Sequence, residues 1–189
     1  MPDVYATIEQ AAESVQERLA DVLELRAADL QHRAMLEDYL DHLPLAAGAR
    51  VLEIGCGTGA ITRTLAARPA VSEVVGLDPG SLFIEQARRR AEGIDGVSFL
   101  VGDGRELPFE QDSFDAVICH TVLCHIPGPE QVLVEGMRVT RSGAPWRSST
   151  ATTRQRRWRS PTMIHCRHAP MPRLLRSCTT LCSCVACRR

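Results

Sequence analysis

The chain has 189 residues, 44% hydrophobic and 24% charged, with a formal net charge of −1, enough sequence for one domain with a buried core. That near-neutral total conceals a division: residues 1–141 hold all 23 acidic residues against 12 arginines, whereas residues 142–189 hold ten arginines and no acid. The acidic body argues against nucleic acid as a partner, and no apolar run approaches the ~20 residues of a membrane-spanning helix.

The opening "MPDVYATIEQ" has neither a basic start nor an apolar core of signal-peptide type, so a cytoplasmic protein is expected. Cys56, Cys119 and Cys124, the three cysteines of the body, imply no disulfide framework, which fits a reducing compartment. From about 7 to 42 the chain is rich in helix formers and free of Gly and Pro, with Leu19, Val22, Leu23, Leu30, Ala34, Leu36 and Leu40 near helical spacing; this predicts one or two amphipathic helices. After the link "LPLAAGA", strand-like and helix-like pieces alternate. "RVLEIG", "SEVVGLD", "VSFLVGD" and "FDAVICHT" read as strands, and "GAITRTLAAR", "GSLFIEQARRRAEG" and "GPEQVLVEGMRVT" as helices. Such alternation predicts an α/β fold, a parallel sheet with helices on both faces. The run Arg88-Arg89-Arg90 reads as a solvated helix face, and His125 as a loop residue.

The stretch "VLEIGCGTGAIT", residues 51–62, runs from a buried strand through glycines into a helix. Glycines there let a ligand approach backbone N–H groups at a helix start. The spacing of Gly55, Gly57 and Ala60 also satisfies the dinucleotide fingerprint, with Asp78 at the distance expected of a ribose-binding acid. The loop alone therefore leaves a nicotinamide dinucleotide open. Glu53 points elsewhere: a carboxylate two residues before Gly55 repels a pyrophosphate and suits a ligand with a cationic end. Some 45 residues of helical character also precede the first strand, where a dinucleotide domain usually begins. Asp103 supplies a further acid at a strand's carboxyl end. Plainer roles exist for each acid: Asp78 as a helix cap, Asp103 as a turn former, Glu53 in a structural salt bridge.

"VLEIGCGTG", "VVGLDPGSLFIEQARRRA" and "GDGRELPFEQDSFDAVICHTVLCHI" together resemble the ordered motifs of the class I S-adenosylmethionine-dependent methyltransferases. Within these the similarity is to methyltransferase type 11, the ubiquinone/menaquinone-biosynthesis-like branch, over about residues 24–141. The resemblance implies a Rossmann-like sheet, S-adenosylmethionine as cofactor and a small-molecule methyl acceptor. It further implies that Gly55, Gly57 and Gly59 admit the cofactor, with Glu53 near its amino-acid end. Asp78 would take both ribose hydroxyls, and Asp103, with Gly104 and Arg105 beside it, would meet the adenine amine. Cys119 and His120 would face the sulfonium and the acceptor, His120 being the candidate catalytic residue, and Cys56 and Pro79 complete the cofactor-contacting set. Cys56 otherwise reads as a small packed residue. No metal site is expected in the body, and the sequence leaves the oligomeric state open.

The tail follows other rules. Where the resembled family continues into a fifth apolar strand, this chain reads "APWRSSTATTRQRRWRSP", and no such strand is legible. Taken literally, residues 142–189 offer a basic nucleic-acid arm, or a zinc site from Cys166, Cys178, Cys182, Cys184 and Cys187 with His165 and His168. A shifted reading frame accounts for it better: residues 146–153, read one base out of step, can encode "LAVFDGDY", an apolar strand in the expected place. The sequence thus predicts an N-terminal helical lid segment (1–45), a cofactor-binding domain (46–141) truncated after the fourth strand, and an aberrant tail (142–189). Methyl transfer, impaired by the lost strands, is the leading function; an NAD(P)-dependent oxidoreductase and an inactive cofactor-binding remnant are the alternatives.

Overall fold

The computed structural model describes residues 3–142 and 146–149. A short 3-10 segment, Tyr5–Gln10, precedes helices α1 (Glu13–Ala28) and α2 (Leu30–Asp41). Strands and helices then alternate as β1 (Ala49–Ile54), α3 (Ala60–Ala66), β2 (Val71–Asp78), α4 (Ser81–Arg90), β3 (Val97–Val101), β4 (Ala116–His120), α5 (Pro129–Val139) and β5 (Trp146–Ser149). The sheet runs β3-β2-β1-β4-β5 with every pairing parallel. All four strands and three crossover helices read from the sequence are present.

β1 is central, and its run of Val51, Leu52 and Ile54 is buried on both faces, as a parallel strand under helices must be. Period-two alternation sends Val51, Val74 and Ile118 toward Tyr39, Leu40 and Leu65, from α2 and α3. Leu52, Val75, Leu77 and Val117 go toward Val132, Leu133 and Val139 of α5. Full burial of each such side chain contributes roughly 1.5–3 kcal/mol, so these two clusters dominate the stability. Strand order reverses between β1 and β4, which opens a crevice at their carboxyl ends.

The uninterrupted run of helix formers from 7 to 42 becomes three pieces. Asp29 breaks it: extended at φ −62° and ψ 127°, it accepts a hydrogen bond from the His32 N–H at 2.8 Å and so caps α2. Charged pairs tie this region to the sheet domain. Glu24 of α1 receives Arg63 at 3.0 Å and lies 3.5 Å from Arg90, while Arg68 reaches Glu37 and Asp41 of α2 at 2.5 and 2.7 Å. Ile8 and Ala20 pack on Phe83 of α4 beneath them.

The sheet does not stop at its fourth strand. β5 pairs parallel with β4, from Val117↔Trp146 to His120↔Ser149, a strand where none was legible in the sequence. Backbone pairing is available to any non-proline sequence, and β4 offered a full ladder of unpaired groups. The basic and cysteine-rich stretch from 150 to 189, with its zinc, nucleic-acid and shifted-frame readings, lies outside the described residues.

Candidate active site

A cavity of about 350 Å³ opens at the carboxyl ends of β1, β2 and β4, with the 3-10 segment, α1 and α2 as its outer wall. Every cofactor-contacting residue proposed from the sequence lines it except Gly59 and Cys119. Cys119 alternates to the opposite face of β4 and is buried in the core with Leu52 and Val132. Gly59 turns its missing side chain inward, where a Cβ would stand 2.6 Å from the Phe99 ring. It is the left-handed N-cap of α3, at φ 76°, and its glycine serves packing.

Asp78 ends β2 with its carboxylate held from both sides: the Gly57 N–H donates to Oδ2 and the Gly80 N–H to Oδ1, each at 2.9 Å. The sequence reading as a cap for the following helix is not realised: the N-cap of α4 is Gly80 and no side chain caps the helix, Asp78 instead closing a turn onto the Gly80 N–H. Burial raises the Asp78 pKa, against the lowering effect of those two bonds, and Glu9 from the 3-10 segment adds to the rise. With one backbone N–H on each oxygen, one from the glycine loop and one from its own turn, the carboxylate is fixed in the cavity wall before any ligand arrives.

Glu53 is 2% exposed and accepts the Thr62 hydroxyl at 2.5 Å. Among the described residues no basic side chain bonds to it, so the structural salt bridge considered from the sequence is not formed there. Burial pushes its pKa up to about 8, with the Asp78 carboxylate adding to the rise. At neutral pH Glu53 is therefore mostly protonated, and a cation placed beside it would release that proton.

Asp103 is engaged differently from the expectation. Both oxygens are taken by the Arg105 guanidinium, at 2.5 to 3.0 Å, and Oδ1 also accepts the Arg105 N–H at 2.8 Å. The hydrogen bonds from Arg105 hold its pKa below the usual carboxylate value. An incoming amine would share these oxygens with Arg105 rather than meet an open carboxylate. The turn-former reading is thus realised as a local ring closed by Arg105.

His120 closes β4 on the same face as Ile118, its ring 5.9 Å from Tyr39 and 6.4 Å from His32. Burial pushes its pKa down to about 4, with His32 and Arg26 in the same direction. It is a neutral imidazole at pH 7 and a weak proton acceptor. Cys56 is buried and its thiol pKa is raised by burial, the opposite of what a nucleophile needs.

Two features escaped the sequence reading. The Thr58 hydroxyl, in the glycine loop, is buried against the cavity with no hydrogen-bond partner among the described residues. The outer wall also contributes Glu9, Arg26, His32 and Arg33. Nothing in an amphipathic helix pattern distinguishes an arginine facing a cavity from one facing water.

The model of a family described as methyltransferase domain matches residues 52–145. A demethylmenaquinone methyltransferase of Clavibacter sepedonicus is 40% identical over 97 residues, covering 51% of this chain and 39% of the relative. A ubiquinone biosynthesis O-methyltransferase of Hahella chejuensis is 36% identical over 114 residues, covering 57% of this chain and 45% of the relative. The chain thus spans under half the length of these curated relatives. A SAM-dependent methyltransferase of Aquifex aeolicus superposes with a TM-score of 0.62 at 20% identity, over 80% of this chain and 79% of the other, a likeness of fold.

Proposed function

The chain belongs, through residues 52–145, to the methyltransferase-domain family, and from that premise we propose that it transfers a methyl group from S-adenosylmethionine to a small molecule. One observation carries the reading: a buried carboxylate, Asp78, is fixed at the mouth of the crevice one strand away from a second buried acid, Glu53, in the same cavity. A ligand with two hydroxyls at one point and a cationic centre at another satisfies both acids; a pyrophosphate satisfies neither.

The cavity fits such a cofactor by the chemistry of its donors. Asp78 can accept from a ribose diol while keeping its two backbone bonds, because each carboxylate oxygen has a second lone pair. Glu53 faces the amino-acid end and ionises against an ammonium. The unpartnered Thr58 hydroxyl offers one more polar contact within the loop. When bound, S-adenosylmethionine supplies a methyl group already activated by a positively charged sulfur. The chain's own task is then to hold an acceptor in line and keep water out, which can account for much of the rate. His120, neutral and weakly basic, orients the acceptor by hydrogen bonding and is not suited to act as a strong general base.

The test is calorimetric titration with S-adenosylhomocysteine. Asp78→Asn removes the charge yet keeps an acceptor for one glycine N–H, and two charge-assisted bonds at roughly 1.5 kcal/mol or more each correspond to about a hundredfold weaker binding. Unchanged affinity in that variant, or a wild-type chain that binds NAD and not S-adenosylhomocysteine, overturns the reading.

A further inference from the structure

Besides the acids Glu9, Glu53 and Asp78, the cavity is lined by cationic side chains. Arg26 of α1 and Arg33 of α2 both line it, beside His32 and His120. Neither guanidinium makes a hydrogen bond or ion pair with a described residue, whereas Arg63, Arg68, Arg90, Arg105 and Arg138 are each paired with a carboxylate. Arg26 is half-buried and its field reaches the cavity: it lowers the pKa of His32, after burial, and contributes to the low value of His120. An arginine cannot shed its proton, so half-buried Arg26 and exposed Arg33 both present to the cavity a positive charge that the anion of a ligand can meet.

Resting on the methyl-transfer reading above, we propose that the acceptor is an anionic small molecule whose carboxylate, or similarly compact anion, is held by Arg26 and Arg33 against the His32–His120 wall. The low basicity of that wall agrees with this chemistry. Where neither His32 nor His120 takes a proton readily, a nucleophile that arrives ionised or readily ionised, in the field of two cations, needs no base from that wall. The rings of Tyr5, His32 and His120 along the cavity favour a flat aromatic body for the anion.

The same guanidiniums could meet another anion, the carboxylate of the cofactor itself, and the experiment separates the two. The full 189-residue chain, saturated with S-adenosylhomocysteine, is titrated with benzoate, 4-hydroxybenzoate and phenylacetate, and with the primary amide of each. At least one acid is expected to bind about tenfold or more tighter than its amide. In Arg26→Gln/Arg33→Gln that preference falls to within about threefold, while S-adenosylhomocysteine affinity in the same variant shifts by less than about threefold.

Amides binding as well as acids throughout, no detectable binding of any acid, or a preference retained in the double variant overturns the proposal. So does a double variant that weakens S-adenosylhomocysteine but not 5′-methylthioadenosine, which lacks the amino-acid portion; that result assigns the arginines to the cofactor. Failure of the wild-type chain to bind S-adenosylhomocysteine at all is a different outcome, and refutes the underlying reading first.

Discussion

Glu53→Gln should make the protein more stable above neutral pH, although it removes a charged residue from the centre of the site. Glu53 has its pKa pushed up to about 8 by burial, against about 4.3 for an exposed glutamate. For an acid whose folded-state pKa is raised, the folded form keeps a proton that the unfolded form has lost, so stability falls as pH climbs between the two values. The slope is ~1.4 kcal/mol per pH unit, which amounts to about 3.5 kcal/mol by pH 7 and about 4–5 kcal/mol by pH 8. Gln preserves the shape and can still pair with the Thr62 hydroxyl, so the comparison isolates the proton. Urea unfolding of both proteins at pH 5, 6, 7 and 8 measures it: their stabilities should lie closest at pH 5 and diverge with rising pH, the variant being the more stable. Two parallel stability curves over that range would refute the argument. A corollary concerns the ligand. If a cationic group sits beside Glu53, binding at pH 6.5 releases close to one proton in the wild type and none in the variant, read from calorimetry in buffers of different ionisation enthalpy.

Gly55→Ala should cost about 2–4 kcal/mol, a left-handed residue plus overpacking, since Gly55 sits at φ 73° and a Cβ there would fall within the Val122 side chain; a melting temperature within a degree of wild type contradicts it. Asp3→Asn should loosen the outer wall, because His125 Nδ1 lies 2.6 Å from Asp3 and its ring is 4.9 Å from that of Tyr5. Hydrogen bonding with Cys124 and with Asp3 raises His125 to about 9, above its ordinary value, so the tie is complete below about pH 6.5 and is lost through about 9. Being a third exposed, the pair is worth no more than ~1 kcal/mol; faster amide exchange over residues 5–10, with the core unchanged, is the expected readout, and unaltered exchange there counts against it. The acid-free tail predicts that the coding DNA, read one base out of step from about codon 145, stays open and encodes an apolar strand; an early stop codon ends that explanation.

How far the sequence could be read depended on which force fixed each element. Val51, Leu52 and Ile54 in one short run can only be a strand covered on both faces, so the sheet and its crevice were legible. Asp78 followed from its place after a strand and before a helix. The break at Asp29 was not, because helix formers lie on both sides and only the cap geometry separates α1 from α2. Gly59 and Cys119 were misplaced for different reasons. A glycine in a loop of glycines can be required by a ligand or by a neighbouring ring, and here Phe99 is the neighbour. Strand parity puts Cys119 with Leu52 and Val117 and His120 with Ile118, a distinction that motif matching passes over. Arg105 shows the limit for side chains: its closure onto Asp103 is a rotamer choice between two adjacent loop residues, on which the pattern is silent.

The two ends of the cavity answer the problem of buried charge in different ways, and this bears on the order of binding. Glu53 can shed its burden by holding a proton, and it does so at neutral pH; a cation reverses this, and the site gains a negative charge only as its ligand arrives. Arg26 and Arg33 have no such release, so the positive charge they bring to the cavity is permanent. A ligand with a positive centre therefore enters against that field unless its own anion, or the acceptor's, accompanies it. Ionisation of Glu53 during cofactor binding supplies the compensating charge within the wall. An anion entering first meets two attracting cations, with Glu9 in the same wall opposing them in part, and it also lowers the potential felt by the cofactor's positive end. The two ligands should thus bind with positive cooperativity, and by thermodynamic reciprocity each strengthens the other by the same factor. That factor should shrink in Glu53→Gln, where the acid end can no longer change its charge in step with the site.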